Sequence, residues 1–541
     1  MQEMTACVES ASSDSARLLC KTNTAKAALA KTLGKDVSEV DPTVVNRYTN
    51  DAGVQQIREQ MRACVEGATN ATAKLECRAP ASNRRAASLS MKGALAQVLG
   101  KDESDVTGTD VYMFQERAAV DDLMQTMEAC MDGTAADCTT DACTNKRNTC
   151  RTEEAKKSLA ALKGKASATN VTDTELNLNI NRCGKGSVRR KMRFCMDGIT
   201  DPDGNDDKRA ACRNTEAKKA LASSLGKKED DITATEFEGI LRDAAKEDVL
   251  KEMNACVESA TGATAKAQCK AVTAKATLVK SLGKKTTEVS TTEVNEFVKD
   301  AAKDEVAKTM NACKDASTGT ATCKSTAVKN TLALSLGKEA AAVTSTDVNM
   351  FVADAAKSEV RDTMKACMEA ASDDNERGDC KGTTAKAALA KSLGKDTTEI
   401  DSTQLTRFVN DAAKVQVKDT MKACKQAGAS DCRTKSKAAL ATSLGKSSAA
   451  NVTETELVRF VESGAKAQVK DTMQACMDNA LSAANRTRCK LETAKAALVE
   501  SLGVGAADVS PTKLEEFVAD AASEQVVNAY VGFDFVDEWC R

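Results

Sequence analysis

The chain has 541 residues, of which 77 are Lys or Arg and 79 are Asp or Glu, and its formal net charge is −2. Balanced charges give no field that would attract nucleic acid, and no apolar run approaches the ~18–20 residues that cross a bilayer. Histidine is absent, which excludes Ser-His-Asp and Cys-His catalysis and histidine metal ligands. We therefore expect a protein that is not an enzyme, has no cofactor, binds no nucleic acid and does not span a membrane.

The composition also predicts the fold class. Aromatic residues make up only 3% of the chain and proline occurs four times, while helix-forming residues are abundant. Such a composition is typical of an all-helical protein whose core is built from Ala, Leu, Val and Met.

A segment with fixed internal spacing recurs along the chain. Each copy opens with Val or Ile, and a Cys follows twenty-four residues later. The last copy begins at Val509 and has Phe533 in place of the Cys. The other copies run from Val40 to Cys64, Val106 to Cys130, Val171 to Cys195, Ile232 to Cys256, Val289 to Cys313, Val343 to Cys367, Ile400 to Cys424 and Val452 to Cys476. A period of roughly 52 to 66 residues indicates a tandem array of one supersecondary unit.

We predict an all-α tandem-repeat array of nine two-helix units, each with a local disulfide. The sequence leaves open whether the array is α-solenoid-like or an extended helical rod. The first residues, MQEMTAC, look like the last turns of a long helix, so we expect the chain to begin within a unit. The predicted boundaries are a partial first unit at 1–39, units at 40–105, 106–170 (with extra Cys), 171–231 (divergent), 232–288, 289–342, 343–399, 400–451 and 452–508, and a terminal long helix with an aromatic cap at 509–541.

The copy at 343–399 illustrates the predicted unit. Thr344 and Asp347 form a capping box, after which apolar residues at helical spacing predict a long helix of about 25 residues. A second helix begins at Cys380 and ends at Gly394, which suits a helix C-cap.

The second helix has a nearly constant length. Its Cys and Gly are fourteen residues apart in seven of the nine copies, whereas the copy at 432–445 is shorter by one residue. The copy at 77–100 is longer.

Cysteine spacing predicts disulfides and hence the compartment. The chain has 22 Cys, and the loop inside each local pair varies from seven to nineteen residues while its flanks keep their length. A bridge between the loop ends permits this and contributes about 2–3 kcal/mol, whereas zinc needs close CxxC pairs or Cys/His mixtures. We therefore expect an extracellular or other oxidising compartment, such as the secretory lumen or cell surface. The predicted pairs are Cys7–Cys20, Cys64–Cys77, Cys130–Cys150, Cys138–Cys143, Cys195–Cys212, Cys256–Cys269, Cys313–Cys323, Cys367–Cys380, Cys424–Cys432 and Cys476–Cys489.

The middle of the chain departs from the pattern. Cys183 replaces a small core residue, and Gly184 and Gly186 are expected to weaken the helix before the basic run 189–191. This region could be a docking site, a bend or an anion patch, but we favour a unit that has merely drifted from the repeat.

Two surface features are weaker. The acidic loop has the alternating oxygen ligands of a calcium site but lacks the glycine and final acid of an EF-hand, so a solvated loop is favoured. Its candidate ligands are Asp201, Asp203, Asn205 and Asp207. N-glycosylation sequons begin at Asn70, Asn170, Asn451 and Asn485, a number that chance accounts for in a Ser- and Thr-rich chain.

The C-terminus gathers the one dense aromatic cluster, formed by Tyr530, Phe533, Phe535, Trp539 and Cys540. It could cap the last unit or bind a partner. Cys183 and Cys540 are left without local partners, so an intermolecular bridge is an open alternative.

Near-identical units without a distinct pocket indicate a structural role. We expect a secreted or lumenal scaffold, filament or surface-layer component that associates with copies of itself or with other structural proteins. The alternative is a repeat binding scaffold for adhesion or for recognition of a protein or glycan partner.

Overall fold

The computed structural model of the protein describes residues 20–33, 36–40, 42–77, 87–99, 101–131, 141–199, 204–315, 319–477, 483–502 and 504–519. Within those ranges every regular element is a helix, and the helices pack side by side as an array. The all-α prediction is therefore confirmed.

Eight long helices form the framework, and each spans 24 to 26 residues. They are α1 (Pro42–Gly67), α2 (Gly108–Met131), α3 (Asp173–Asp197), α4 (Ala234–Ser259), α5 (Thr291–Asp315), α6 (Ser345–Ala370), α7 (Ser402–Gln426) and α8 (Glu454–Met477). Residues 511–519 form a further helical segment.

Side-chain caps begin the long helices where the sequence predicts them. At α6, the Thr344 hydroxyl accepts a hydrogen bond from the Asp347 amide at 3.1 Å, and the Asp347 carboxylate accepts one from the Thr344 amide at 2.9 Å. The hydroxyls of Thr172 and Thr233 cap α3 and α4 by accepting a hydrogen bond from the amide of the glutamate three residues later. These bonds satisfy amides that have no partner within the helix. The apolar stripe that follows in α6 is buried, at Val348, Phe351, Val352, Ala355, Val360, Met364 and Cys367.

A second, shorter helix follows each long helix. We call a long helix and the second helix after it a module. The second helices are Ala71–Glu76 with Ala87–Leu99, Asp141–Leu162, Asp206–Leu225, Ala263–Leu282, Thr320–Leu336, Asp374–Leu393, Cys432–Ser443 and Ala483–Leu502. A helix at Cys20–Leu33 precedes α1. Short 3-10 turns lead into the long helices at Val37–Glu39, Glu103–Asp105, Ala168–Asn170, Thr286–Glu288, Ala340–Ala342, Thr397–Glu399 and Ala449–Asn451, and another lies at Ala506–Asp508.

The constant spacing of the second helix has a structural cause. Wherever the Cys and Gly are fourteen residues apart, the second helix contains a π-helical turn that starts at that Cys, as at Cys380–Thr384. A π turn accommodates one residue more than an α turn. Thus Cys380 and the buried Ala385 are five residues apart, whereas Cys432 and the buried Ser436 are four apart. The helix that begins at Cys432 is one residue shorter and is α-helical throughout.

Eight disulfides each join the end of a long helix to the second helix of the same module. They link Cys64–Cys77, Cys130–Cys150, Cys195–Cys212, Cys256–Cys269, Cys313–Cys323, Cys367–Cys380, Cys424–Cys432 and Cys476–Cys489. Cys20 and Cys143 are also disulfide-bonded, while Cys7, Cys138 and Cys540 lie outside the described residues. Each of the eight bridges joins a pair proposed from the spacing.

The array is a superhelix with three modules per turn. Each long helix packs against its neighbours in sequence, and five pairs three modules apart also pack together: α1 with α4, α2 with α5, α3 with α6, α4 with α7 and α5 with α8. From the second module onward, each second helix covers its own long helix and the preceding one. The long helices therefore form an inner layer and the second helices an outer layer. This arrangement selects the solenoid over an end-to-end rod.

Successive modules meet where a second helix ends. Gly394 has a left-handed backbone (φ +69°), which terminates the helix. A β-carbon there would lie 2.7 Å from Thr320 Oγ1 and 3.2 Å from Met310 Cε, both in the preceding module. Glycine is therefore required both by the backbone conformation and by the close approach of the neighbouring module.

Deleting one residue from a π turn should be tolerated. In a Gly382 deletion, the turn at 380–384 would become α-helical, and Cys380 and Ala385 would keep their common face. We expect the bridge to Cys367 to persist and the free energy of unfolding to change by less than about 1 kcal/mol. Thiol titration and thermal unfolding measure both quantities.

Deleting Thr434 is the matched control, because the helix at 432–443 has no extra residue. The deletion rotates Cys432 by about 100° relative to the buried face. We expect the free energy of unfolding to fall by several kcal/mol, because the helix can then keep either its bridge or its core contacts but not both. Equal tolerance of the two deletions would contradict this account of the π turns.

Candidate functional site

The sequence Asp-Ala-Ala-Lys recurs in four consecutive long helices, at 243–246, 300–303, 354–357 and 411–414. The alanines face the apolar core, where all eight are buried. The Asp and Lys are three residues apart and therefore share a face. Their Nζ–Oδ1 distances are 2.9–3.3 Å. Each motif thus places one ion pair on the face opposite the core.

These ion pairs are joined from helix to helix. Lys185 Nζ of α3 lies 3.1 Å from Asp243 Oδ2 of α4, and Lys303 Nζ of α5 lies 3.7 Å from Asp354 Oδ2 of α6. Lys303 therefore bridges Asp300 of its own helix and Asp354 of the next helix. The result is a ladder of alternating charges that winds along the inner layer.

A second set of ion pairs lies one turn further along the helices. Arg361 of α6 contacts Asp362 at 2.8 Å and Asp419 of α7 at 2.9 Å. Lys418 of α7 lies 3.6 Å from Asp471 of α8. This set ties α6, α7 and α8 together.

Ion pairs also join successive turns of the superhelix. Arg117 of α2 lies 2.6 Å from Glu305 of α5, and Lys251 of α4 contacts Asp51 of α1. Lys185 of α3 lies 3.9 Å from Asp362 of α6. Every one of these contacts joins helices that are three modules apart, so charge pairing depends on the winding of the superhelix.

The charged faces border a cavity of about 1820 Å³. Helices α3 to α8 all contribute to its wall, together with ends of the second helices. Eighteen lysines and arginines but eleven aspartates and glutamates line it. The wall is therefore net positive in a chain whose total charge is −2.

Pairing keeps most of these groups ionised although they are enclosed by protein. Burial by itself would raise the pKa of Asp243, but Lys185 and Lys246 outweigh it and hold that pKa well below its ordinary value. Burial would likewise lower the pKa of Lys246, but Asp243 and Asp300 raise it. Each charge is thus stabilised by partners on its own helix and on the neighbouring ones.

Asp304 is the exception on this face. Burial raises its pKa to about 6, because the nearby Lys246, Lys185 and Arg361 do not offset burial and the like charge of Asp243. This carboxylate is therefore ionised at neutral pH at a cost to the folded state.

The calcium candidate finds no support in the described part of its loop. Asn205 immediately precedes the helix Asp206–Ala211, and Asp207 lies in its first turn. Asp201 and Asp203 lie outside the described residues. No group of three or more Cys, Asp or Glu within the described ranges is arranged to hold a metal ion.

The divergent middle is a regular part of the array. Helix α3 runs without a break through Gly184 and Gly186. Cys183 is a buried free thiol whose Sγ donates to the Val120 carbonyl at 3.3 Å, and burial raises the pKa of that thiol well above its ordinary value.

The basic run at 189–191 is neutralised within the protein. Arg189 pairs with Glu247, Arg190 with Glu128, and Lys191 with Glu216. These pairs argue against the anion-patch alternative for this run.

The remaining sequence features lie on the surface or outside the described residues. Asn70, Asn170 and Asn451 are exposed, and Asn485 lies in the helix Ala483–Arg488. The aromatic cluster Tyr530, Phe533, Phe535, Trp539 and Cys540 is outside the described ranges. No helix in the described part of the chain is both long enough and apolar enough to span a bilayer.

Sequence reasoning missed the charged face. The recurring Asp-Ala-Ala-Lys was the available signal, because it places a charge pair on each long helix at the same register. The balanced charges served only as an argument against binding of nucleic acid. The ion-pair partners of several of these charges lie on helices three modules apart. A local sequence pattern does not predict such contacts.

Comparison with known proteins adds no information about the fold or the site. No known protein family, curated protein or solved structure matches the chain.

Replacing Asp304 by Asn should stabilise the protein in a pH-dependent way. Its folded pKa of about 6 exceeds its ordinary value of 3.8, so the folded state holds an extra proton between those values and the ionised carboxylate destabilises it above them. We expect the stability gain to be near zero below about pH 4 and about 3 kcal/mol above pH 6.5. Chemical denaturation across this pH range measures the gain.

Asp300→Asn is the matched control on the same helix. Burial would raise the pKa of Asp300, but Lys303 and Lys246 outweigh it and hold the pKa below its ordinary value. Its contribution is therefore present above about pH 4 and is lost as the pH falls further. We expect Asp300→Asn to destabilise the protein by about 2–4 kcal/mol at neutral pH. Effects of the same sign for both variants would contradict this assignment of the two carboxylates.

Proposed function

We propose that the protein is a non-enzymatic structural scaffold of an oxidising compartment, a filament or surface-layer component whose copies associate end to end. The observation that carries the proposal is the contact between successive turns of the superhelix. Two complementary surfaces form the two halves of this contact, and each recurs along the chain. One of them is exposed at one end of the described array, and the other is exposed at the opposite end.

The first half is the residue just before the first cysteine of each disulfide. In α4 to α7 this residue is an alanine with at most 3% of its surface exposed: Ala255, Ala312, Ala366 and Ala423. In α1 to α3 the equivalent residues are exposed: Ala63, Ala129 and Phe194. Helices α4 to α7 each pack against a helix three modules earlier, which explains the difference.

The second half is the fifth residue of each long helix. In α2 to α5 it is at most 8% exposed: Tyr112, Asn177, Glu238 and Asn295. In α6 and α7 the equivalent residues, Asn349 and Thr406, are exposed. The two halves meet directly where the Asn177 amide donates to the Ala366 carbonyl at 3.5 Å.

A second copy can therefore continue the superhelix. The exposed fifth-residue surface of α6 and α7 is equivalent to the surface that covers the alanines inside the array, and α1 to α3 offer the equivalent of those alanines. Such a contact joins different surfaces of the two copies, so it repeats without closing and produces a filament. The bridges stiffen each module, and their number is compatible with export to an oxidising compartment.

Phe194 gives a test of this association. It is 77% exposed on the α1–α3 end, so Phe194→Asp should leave the fold intact but add a charge to the docking surface. We expect sedimentation velocity to show concentration-dependent association of the parent, weakened about ten-fold or more in the variant.

Val272→Asp is the matched control, because Val272 is 66% exposed on a second helix outside the two end surfaces. It should associate like the parent. A parent chain that remains monomeric at high concentration, or equal weakening by both substitutions, would contradict end-to-end association.

A repeat binding scaffold is the second candidate function, and the cavity favours it. A cavity of about 1820 Å³ with a net positive wall is large enough to admit a ligand or a segment of a partner. Mass spectrometry of the protein purified from its native source tests this candidate, and a cavity that is always empty would count against it.

A further inference from the structure

A lysine follows the glycine that ends each of several second helices, and it usually has a fixed partner. The partner is a glutamate that is the third residue of the next long helix. Four such pairs occur: Lys165–Glu175, Lys227–Glu236, Lys284–Glu293 and Lys446–Glu456. We call the connection from the glycine that ends one second helix to the start of the next long helix a joint. The glutamate neutralises the lysine at that joint.

Three joints depart from this rule. The third residue of α2 is Asp110, which is shorter than glutamate and accepts hydrogen bonds from its own cap residue, Thr107.

The other two joints lead into α6 and α7. The third residue of α7 is Gln404, which carries no charge to pair with Lys395. The third residue of α6 is Asp347, which is shorter and accepts hydrogen bonds from its own cap residue, and Lys338 is exposed. Within the described part of the chain, neither Lys395 nor Lys338 has an ion-pair partner at 4 Å or closer.

A further lysine lies beside Lys395. The Thr320 hydroxyl donates to the Gly394 carbonyl at 2.5 Å, which fixes the start of one second helix against the end of the next. Lys324 follows Thr320 by one helical turn and is half-buried. Burial, followed by the like charge of Lys395, lowers the pKa of Lys324. No carboxylate among the described residues forms an ion pair with Lys324.

All of these groups line the cavity. Its wall includes Lys324, Lys338, Lys395 and Gln404. The missing glutamate at α7 thus leaves an excess of positive charge in a concave, partly enclosed space. A bound anion would offset the repulsion between two adjacent ammonium groups that the protein itself leaves unpaired.

We propose that Lys324, Lys395 and Gln404 form a binding site for an oxyanion, a phosphate or sulfate group. The two ammonium groups supply charge-assisted hydrogen bonds to its oxygens, and the Gln404 amide supplies a neutral N–H donor where glutamate would repel the ligand. Lys338 extends the positive wall and suits a ligand that carries more than one such group. The site does not depend on the proposed association of copies.

Titration calorimetry of the intact, disulfide-bonded chain tests the site. The probes are inorganic phosphate and a sulfated oligosaccharide, each at constant ionic strength. Gln404→Glu restores the usual lysine partner and Lys395→Gln removes one ammonium group. We expect each variant to lose affinity about ten-fold or more for whichever probe binds.

Lys446→Gln is the control, because Lys446 is the equivalent lysine of another joint, is paired with Glu456 and is not part of the cavity wall. Its affinity should match the parent. Binding of phosphate would identify a free ion as sufficient, and binding of the oligosaccharide alone would identify a sulfate carried on a glycan. Absence of binding by both probes, or affinity unchanged by Gln404→Glu and Lys395→Gln, would overturn the proposal.

Discussion

The structure depends on neutralising charges that its long helices bury together. Helices α3 to α8 turn polar faces toward one cavity, and an enclosed charge without a partner costs several kcal/mol. The winding at three modules per turn satisfies this requirement, because Lys185 then reaches Asp243 on the next helix and Asp362 on the helix three modules away. Apolar faces alone tolerate small changes of register, whereas these pairs do not. The charges therefore specify how the helices wind, and the apolar core supplies most of the stability.

The outer layer is held by a different constraint. A core made of alanine and a few larger side chains has limited apolar area per module, and each bridge adds about 2–3 kcal/mol by restricting the unfolded chain. A bridge also fixes the position of the second helix relative to the end of its long helix. From Cys380 to Gly394, the extra residue is absorbed in a π turn beside the bridge, so the glycine still reaches the preceding module. The loop inside the bridge is then the part that can vary in length.

Sequence alone predicted what is encoded locally. Thr344 and Asp347 form the expected cap, Gly394 ends the expected helix, and the cysteine spacing corresponds to the eight bridges. It did not predict contacts three modules apart, such as Arg117 with Glu305, because no short-range pattern specifies how an array closes on itself.

The candidate site was equally hidden. Gln404 stands where four other modules have glutamate, and this difference is visible in an alignment of the copies. The consequence of this difference can be inferred only from the structure, which shows that the lysine after the glycine pairs with the residue at that position. The cavity likewise could not be predicted from any single helix, because six helices, α3 to α8, together form its wall.

Zero-length carbodiimide crosslinking of the native chain, with the linked peptides read by mass spectrometry, tests the three-module winding most directly. The superhelix predicts links between lysines and carboxylates of helices three modules apart, including Lys251 with Asp51 and Lys185 with Asp362. Links confined to consecutive helices, such as Lys303 with Asp354, would contradict the superhelix and the charged core built on it.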